Sequence, residues 1–235
     1  NDQIYEFQTA KICEAIDYNA RIENTIKQLI KNNTTDALRI PTMPDKISIE
    51  DIEEYIREAT KLPIGINKKD LKLINYDFKK KLVNIITAKN IEDATEYARC
   101  IIEMLKKIKN LNIIILDTEN ELKKSDVEIL EEFKKLLSMV NDNITNVVRP
   151  HTICLINGLD KFLNEIQDES LFYKMLKEAE KSAKYTFVIV ENAKRLKNHE
   201  YDEWYKHYVD GDSGIYIGNG IDDQFLIQLS DRKNI

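Results

Sequence analysis

The chain has 235 residues, of which 43% are hydrophobic and 32% are charged, and its 41 acidic and 35 basic side chains give a net charge of −6. This length suffices for one large domain or two small ones with a sizeable core, and the composition excludes a disordered chain. The negative charge argues against a nucleic-acid-binding protein, which should present a basic face. The basic run at residues 79–81 is too short to reverse that conclusion.

The cysteines indicate a reducing compartment rather than a disulfide or metal framework. Cys13, Cys100 and Cys154 stand far apart, without the spacing of metal ligands, and we expect all three to be buried free thiols. The three histidines do not pair with them, so no metal site is predicted. No run of 18 apolar residues occurs, so the chain is not expected to span a membrane by itself. Because it opens on Asn1 without a methionine, we expect a piece of a longer protein.

The first part of the sequence predicts short, separate elements. Residues 4–9 alternate as in a strand. A helix is then indicated by apolar residues at helical spacing, namely Ile22, Ile26, Leu29 and Ile30. Pro41 and Pro44 frame a linker over residues 40–44, which should be extended because proline disfavours helical backbone before it.

Two further elements precede the regular part of the chain. Ser48, with Asp51 three residues later, has the pattern of a capping box and predicts the start of a helix. Residues 62–66 and 71–76 are strand-like and flank a polar stretch, which predicts a β-hairpin.

From residue 82 onwards, apolar strands alternate with amphipathic helices. The strands are predicted at residues 82–87, 112–117, 152–157 and 186–191, and the helices at residues 92–109, at a segment capped by Ser125 with Glu128, and at residues 169–182. Strands that are apolar throughout indicate a mostly parallel sheet covered on both faces. The predicted fold is therefore an α/β three-layer sandwich with a mostly parallel central sheet. Residues 214–220 and 225–230 predict an antiparallel hairpin near the C-terminus.

The position of a phosphate-binding loop lacks the residues that such a loop needs. No glycine occurs between Gly65 and Gly158, although a P-loop uses glycines to bring backbone N–H groups onto phosphate oxygens. The pattern falls on Thr87, Ala88, Lys89, Asn90, Ile91, Glu92, Asp93 and Ala94. Glu92 and Asp93 place anions where phosphate should lie, and the Ala94 side chain has no oxygen with which to ligate magnesium. We expect this position to be non-functional, and no ATP or Mg²⁺ to be bound by this domain.

The second nucleotide motif, Walker B, is also altered. It consists of an apolar strand that ends in an aspartate, which holds magnesium, but the strand at residues 152–157 ends in Asn157. An amide brings no negative charge to a metal site. Asp160 is interpreted as a helix cap. An active ATPase that uses Lys89 and Asp117 instead stays open as an alternative.

Several segments outside these motifs resemble a known family. They are Phe7–Ala10, residues 40–44 (IPTMP), residues 62–66 (LPIGI), and residues 214–221 (GIYIGNGI) with Gln224. In this order, over nearly the whole chain, they resemble the FtsK/SpoIIIE-type ATPase domains of the type VII secretion coupling proteins of Gram-positive bacteria. The altered motifs resemble the most C-terminal (third) of these domains. The resemblance implies a P-loop NTPase-like (RecA/FtsK-type) fold. Residues 1–61 would then be a linker or N-terminal extension, and residues 62–235 the ATPase-like domain.

The resemblance implies a role in protein export. Members of that family are membrane-anchored, string several ATPase domains along one chain, form hexameric rings and export small helical-hairpin proteins. The last domain receives a signal from the substrate. By this resemblance the chain is a cytoplasmic domain of a cell-membrane protein, with secreted helical-hairpin proteins and the preceding ATPase domains as partners, and it acts in substrate recognition or regulation. A DNA translocase module is a further alternative, since relatives with this fold pump DNA.

One aromatic pattern is a candidate for contact with a partner. Tyr201, Trp204, Tyr205 and Tyr208 share one face of a predicted helix, and aromatic anchors are common at interface hot spots. The alternative is that this stripe packs on the sheet. The nearby residues 210–214 (DGDSG) lack the spaced ligands and late glutamate of a calcium loop and predict a plain turn.

Overall fold

The computed structural model describes residues 17–32, 42–56, 61–122, 128–142, 150–211 and 214–219. The chain divides into two compact units, Asn1–Met43 and Pro44–Ile235. In the first unit, α1 spans Tyr18–Asn32 and confirms the predicted helix. The Asp17 carboxylate accepts a 2.8 Å hydrogen bond from the Ala20 N–H at its start. The predicted strand at residues 4–9 lies outside the described residues.

The second unit opens with a short helix and a hairpin. Helix α2 (Ile49–Ile52) starts at the predicted capping box, in which the Asp51 N–H and the Ser48 N–H each donate to the other residue's side chain. A 3₁₀ turn, Glu53–Tyr55, follows. Strands β1 (Lys61–Ile66) and β2 (Leu73–Asp77) pair antiparallel, which confirms the predicted hairpin.

Five strands form the main sheet, in the order β4-β5-β6-β3-β7. They are β3 (Val83–Ala88), β4 (Leu111–Asp117), β5 (His151–Asn157), β6 (Tyr185–Asn192) and β7 (Gly214–Ile217). All four pairings are parallel, as predicted for strands that are buried on both faces. The first arm of the predicted C-terminal hairpin is thus β7, which lies parallel beside β3, whereas residues 225–230 lie outside the described part of the chain.

Helices cover both faces of this sheet and complete the predicted three layers. They are α3 (Ile91–Lys106), α4 (Ile129–Asn141), α5 (Leu159–Ile166), α6 (Glu169–Ser182), α7 (Ala193–Lys197) and α8 (Glu203–Tyr208). The predicted cap Ser125 is outside the described residues, and α4 begins at Ile129 with Glu128 as its N-cap residue. The N-cap position of α4 is therefore three residues later than the capping-box pattern predicts.

The core consists of two apolar layers, one on each side of the sheet. One face packs against α3 through residues such as Ile86, Ala98 and Ile101. The other packs against α4, α5 and α6 and contains a chain of edge-to-face aromatic contacts. The rings in that chain follow the order Phe133, Phe162, Phe172 and Trp204, with centroid separations of 5.4, 5.7 and 5.6 Å. Such pairs stabilise a core by about 1 kcal/mol each beyond the area they bury.

The cysteines divide between core and surface. Cys154 is buried in β5, as expected, and burial raises the pKa of its thiol above the usual value. The expectation of burial is wrong for Cys100, which is exposed on α3 because it lies on the solvent side of that amphipathic helix. Cys13 lies outside the described residues.

Candidate functional site

The residues at the P-loop position form the end of a strand and the start of a helix rather than a loop. Strand β3 continues to Ala88 and α3 begins at Ile91, so that Lys89 and Asn90 alone connect them. Thr87, Ala88 and Ala94 are fully buried, whereas Glu92 and Asp93 are exposed in the first turn of α3. A two-residue connection is too short to wrap around a phosphate group with converging N–H donors.

The Walker B position belongs to a buried chain of polar side chains. Asn157, at the end of β5, is fully buried. Its amide N–H donates to the Asp117 carboxylate at the end of β4 over 2.8 Å, and its amide oxygen accepts from the Thr95 hydroxyl of α3 over 3.0 Å. The second oxygen of Asp117 accepts the Leu122 N–H over 2.6 Å. Each of these polar groups therefore has a protein partner, as buried polar groups require.

Thr95 is the residue of this site that sequence reasoning missed. Aligning the P-loop pattern on its glycine positions assigns the metal-binding hydroxyl to residue 94, where an alanine stands. In the structure a hydroxyl does face the Walker B position, but it comes from the next residue, Thr95. A polar residue on the otherwise apolar buried face of α3 was the available signal.

The hydrogen bonds among Thr95, Asn157 and Asp117 differ from those of a magnesium site. In intact nucleotide sites a P-loop hydroxyl and a Walker B aspartate hold magnesium. Here the hydroxyl and the carboxylate are joined through the Asn157 amide instead. Asn157 can make both bonds because an amide is donor and acceptor at once.

The residue after Asn157 is held in a conformation that suits glycine. Gly158 has φ +81°, in the left-handed region, and a Cβ placed on it would lie 2.5 Å from the Thr118 hydroxyl oxygen. That hydroxyl lies 2.8 Å from both the Asn157 and Gly158 carbonyl oxygens. Gly158 is also the N-cap residue of α5. It carries no side chain with which to orient a water molecule for hydrolysis.

The prediction that Asp160 caps a helix is wrong. Helix α5 begins one residue before it, so Asp160 lies inside the first turn, and its carboxylate faces His199 instead of the helix N–H groups. The cap position is taken by Gly158, because the sharp turn after β5 requires positive φ there.

A buried glutamate ends β6 at the same edge of the sheet. The Glu191 side chain is fully buried. Its carboxylate accepts N–H bonds from Asn192 (2.8 Å) and Asp160 (3.3 Å), and Arg195 lies 3.6 Å away. Burial raises the pKa of Glu191 above its usual value, although those N–H groups and Arg195 oppose the shift. Arg195 also contacts Glu119, after β4, over 3.3 Å, so the ends of β4 and β6 are linked by charge.

A cavity of about 550 Å³ opens beside the P-loop position. It lies between the first turns of α3 and the end of β7, and it is lined by Lys89, Asn90, Asp93, Glu96, Tyr97, Cys100 and residues 217–219. Lys89 thus faces this cavity together with two carboxylates. Asp117 is not among the residues that line it, so the structure does not bring Lys89 and Asp117 together there.

The aromatic candidates divide between core and surface. Trp204 is fully buried and Tyr205 is 9% exposed, and both belong to the core cluster under α6. Tyr208 is half-buried, with its hydroxyl donating to Glu180 over 3.1 Å. Tyr201, in the turn before α8, is 74% exposed. Packing on the core therefore accounts for Trp204 and Tyr205, and Tyr201 and Tyr208 are the members of the stripe that can meet a partner.

Membrane-spanning helices and metal clusters are both absent from the described ranges. No helix there combines the length and the apolar character that crossing a membrane requires. Those same ranges contain no group of three or more His, Cys, Asp or Glu side chains placed to hold a metal ion.

Comparison with known proteins gives one sequence relative and several structural ones. No family model matches the chain. Over 133 residues, 52% of the chain, it is 31% identical to the type VII secretion system protein EssC of Staphylococcus aureus (strain MRSA252), and it covers 9% of that protein.

The solved structures agree in fold. The cytoplasmic domain of EssC matches 99% of this chain and 53% of its own length, with a TM-score of 0.64 and 14% identity. ATPases 2 and 3 of Geobacillus thermodenitrificans EssC match 94% of this chain and 47% of theirs, with a TM-score of 0.65 and 14% identity. A third solved structure contains ATPases 2 and 3 of Thermomonospora curvata EccC in complex with a signal sequence peptide. It matches 92% of this chain and 45% of its own length, with a TM-score of 0.60 and 12% identity.

The chain therefore has the α/β fold of the ATPase domains of EssC and EccC, and spans about half the length of those solved chains. The sequence match to EssC points to the same group of proteins as the fold does. Over 133 residues in sequence and over nearly its whole length in fold, the chain is similar to the type VII secretion protein EssC, which agrees with the resemblance noted from its sequence.

Proposed function

We propose that this chain is an ATPase-like domain of a type VII secretion motor that does not turn over nucleotide and acts in substrate recognition or regulation. The observation that carries this proposal is the buried chain of hydrogen bonds from Thr95 through Asn157 to Asp117. In it the side-chain oxygens of Asn157 and Asp117 accept hydrogen bonds from protein groups, and the Thr95 hydroxyl donates its proton to Asn157. Displacing them would leave buried polar groups without partners, at about 1–3 kcal/mol each.

The connection between β3 and α3 supports the same conclusion. It lacks glycine and has two residues, and the exposed carboxylates of Glu92 and Asp93 repel phosphate from the N-terminus of α3. Nucleotide would therefore meet neither the N–H donors nor the positive field that normally bind it. ATP and Mg²⁺ belong, on this proposal, to other domains of the full-length protein.

Isothermal titration calorimetry with Mg-ATP and Mg-ADP tests the nucleotide part of the proposal. We expect no binding tighter than about 1 mM, which corresponds to a binding free energy weaker than about −4 kcal/mol. Micromolar affinity would overturn the proposal. The second candidate, an active ATPase that uses Lys89, has one favourable observation: Lys89 lines an open cavity beside α3. Steady hydrolysis that is abolished by Lys89→Ala would establish it.

The partner part of the proposal rests on the relatives. A related EccC fragment was solved with a signal sequence peptide, and we propose that this chain likewise binds a segment of small secreted helical-hairpin proteins. In the full-length protein it would lie in the cytoplasm, beside preceding ATPase domains in one chain, within a hexameric assembly.

A pull-down with purified secreted helical-hairpin proteins tests this role. We expect Tyr201→Ala to weaken capture, because Tyr201 is the most exposed aromatic residue of the stripe, at 74%. Tyr55→Ala is the matched control, since Tyr55 is also an exposed tyrosine, at 52%, but lies in the 3₁₀ turn after α2. Equal capture by the two variants would remove Tyr201 from the contact surface.

A further inference from the structure

The turn between α7 and α8 contains a histidine held between two carboxylates. The His199 Nε2 atom lies 2.7 Å from an Asp160 oxygen, and its Nδ1 atom lies 2.5 Å from an Asp202 oxygen. The exposed fractions of the three side chains are 14%, 31% and 22%. A carboxylate accepts hydrogen bonds and does not donate them, so His199 bonds both carboxylates at once when each ring nitrogen carries a proton and the imidazole is cationic.

The two carboxylates belong to different helices. Asp160 lies in the first turn of α5. Asp202 is the N-cap residue of α8, yet its side chain caps no N–H group of that helix and bonds His199 instead. The His199 bridge, defined by Asp160, His199 and Asp202, thus fastens the start of α8 to the start of α5. The Trp204 ring of α8 packs at 6.0 Å from the His199 ring.

The groups around the bridge are mostly acidic. Glu169, the first residue of α6, interacts with both Asp202 and His199, and Glu203 of α8 lies near Glu169. Burial and the Asp202 charge raise the pKa of Glu169. The cations of α7 are Lys194, Arg195 and Lys197, and Arg195 is engaged by Glu119 and Glu191. If His199 became neutral, the carboxylates of α5, α6 and α8 would lose the cation that lies between them.

We propose that His199 is a proton-operated latch, which holds α8 against α5 while the imidazole is cationic and releases it when the proton is lost. A neutral imidazole has one N–H, so one of the two carboxylates would face a lone pair at a distance below 3 Å. The helix that carries the predicted partner stripe would then be fastened in a pH-dependent way. This inference concerns the fold itself and holds whether or not the chain binds nucleotide.

The direction of the pH dependence follows from the charges. Burial lowers the pKa of His199, but the hydrogen bonds and charges of Asp202 and Asp160 outweigh it, so the pKa lies above its usual value. A group whose pKa is higher in the folded state stabilises that state fully below its unfolded pKa, about 6.5 for histidine. The stabilisation is lost as the pH rises through the folded pKa. The latch is therefore closed in mild acid and opens on the alkaline side of 6.5.

NMR titration of the 235-residue chain tests the latch directly. We expect the His199 ring resonances to titrate with a midpoint above pH 6.5, and hydrogen exchange of the α8 amides, corrected for intrinsic rate, to accelerate relative to α6 above that midpoint. Trp204 is the single tryptophan, so its fluorescence should follow the same midpoint. A midpoint at or below 6.5, or equal exchange in α8 and α6, would overturn the proposal.

Two variants sharpen this test. Asp160→Asn removes one carboxylate and should lower the His199 midpoint by about one pH unit. His207→Gln is the matched control, because His207 is an exposed histidine of α8 itself, and it should leave the midpoint and the fluorescence titration unchanged. If the fluorescence transition disappeared in His207→Gln, the transition would arise from His207 and not from His199, which would contradict the latch.

Discussion

At the scale of single residues, the turn after β5 is the place where the backbone tolerates least change. Gly158 combines a left-handed φ of +81° with close neighbours: an added Cβ would lie 2.5 Å from the Thr118 oxygen and 2.9 Å from Glu119. Thr118 itself is fixed by bonds to two carbonyl groups. The position therefore excludes a side chain on two independent grounds, conformation and space.

We accordingly expect Gly158→Ala to lower the free energy of unfolding by about 3 kcal/mol, because it adds backbone strain to a steric clash. Urea denaturation measures the loss. Gly65→Ala is the control, since a Cβ there meets nothing within 4 Å, and it should change the stability by less than about 1 kcal/mol. Equal losses at the two glycines would contradict this explanation.

Asn157 is constrained by charge rather than by space. Asn157→Asp would place two carboxylates at the 2.8 Å distance now spanned by an N–H bond to Asp117. We expect a loss of about 3 kcal/mol at pH 7. Because the new carboxyl would have a raised pKa in the folded state, the loss should shrink as the pH falls towards about 4.

Urea denaturation of wild type and Asn157→Asp at pH 7 and pH 5 measures that difference. Asn112→Asp serves as the control, because the half-buried Asn112 amide donates to the Thr152 hydroxyl at 3.4 Å, not to a carboxylate. Its stability difference from wild type should depend little on pH. A variant at 157 that is as stable as wild type at pH 7 would show that Asp117 tolerates a second charge, contrary to our interpretation of the site.

At the scale of elements, one buried amide joins the hairpin to the sheet. Asn84, in β3, is fully buried. Its oxygen accepts from the Tyr76 hydroxyl of β2 over 2.9 Å, and its N–H groups donate to the Phe78 carbonyl (2.9 Å) and the Lys81 carbonyl (3.2 Å). The amide thus holds both ends of a second 3₁₀ turn, Phe78–Lys80, which connects β2 to β3.

Asn84→Ala should cost about 2–3 kcal/mol of unfolding free energy, because it leaves the Phe78 carbonyl without this donor inside the protein. Tyr76→Phe removes one of the hydrogen bonds and keeps the ring, so it should cost about 1 kcal/mol. Chemical denaturation of the two variants side by side gives the comparison. If Asn84→Ala were no worse than Tyr76→Phe, the connection would depend on ring packing and not on the amide.

The elements also show which parts of the fold could be predicted from sequence. Mostly apolar runs predicted the first four strands of the main sheet, because a strand buried on both faces is apolar along most of its length. The capping box at Ser48 could be predicted from two residues, because its hydrogen bonds join residues three positions apart. Helix α5 was missed, since its eight residues follow a left-handed glycine and offer two turns of pattern at most.

The candidate site was harder to predict because its contacts join distant parts of the chain. The sequence correctly predicted that Asn157 ends a strand. It did not predict that Thr95 meets Asn157 62 residues away, or that His199 meets Asp160 39 residues away. Such pairs are set by strand order and helix register, which no local pattern contains.

At the scale of the whole molecule, the net charge separates protein export from DNA transport. With 41 acidic and 35 basic side chains, the chain as a whole repels the phosphate backbone, and binding to DNA would need a strong local basic patch. We expect no mobility shift with duplex DNA at 50 mM salt and micromolar protein. A salt-dependent shift would revive the DNA translocase alternative, and a basic DNA-binding protein of similar size serves as the positive control.

The hydrogen bonds of the Asn157 side chain also restrict which residues this position accepts. Its central amide donates to Asp117 and accepts from Thr95, and neither aspartate nor leucine can do both. A single mutation of Asn157 to aspartate therefore meets a stability barrier, because it places two carboxylates side by side. A carboxylate at residue 157 would become tolerable only with a second change, at residue 117, that removes the neighbouring charge.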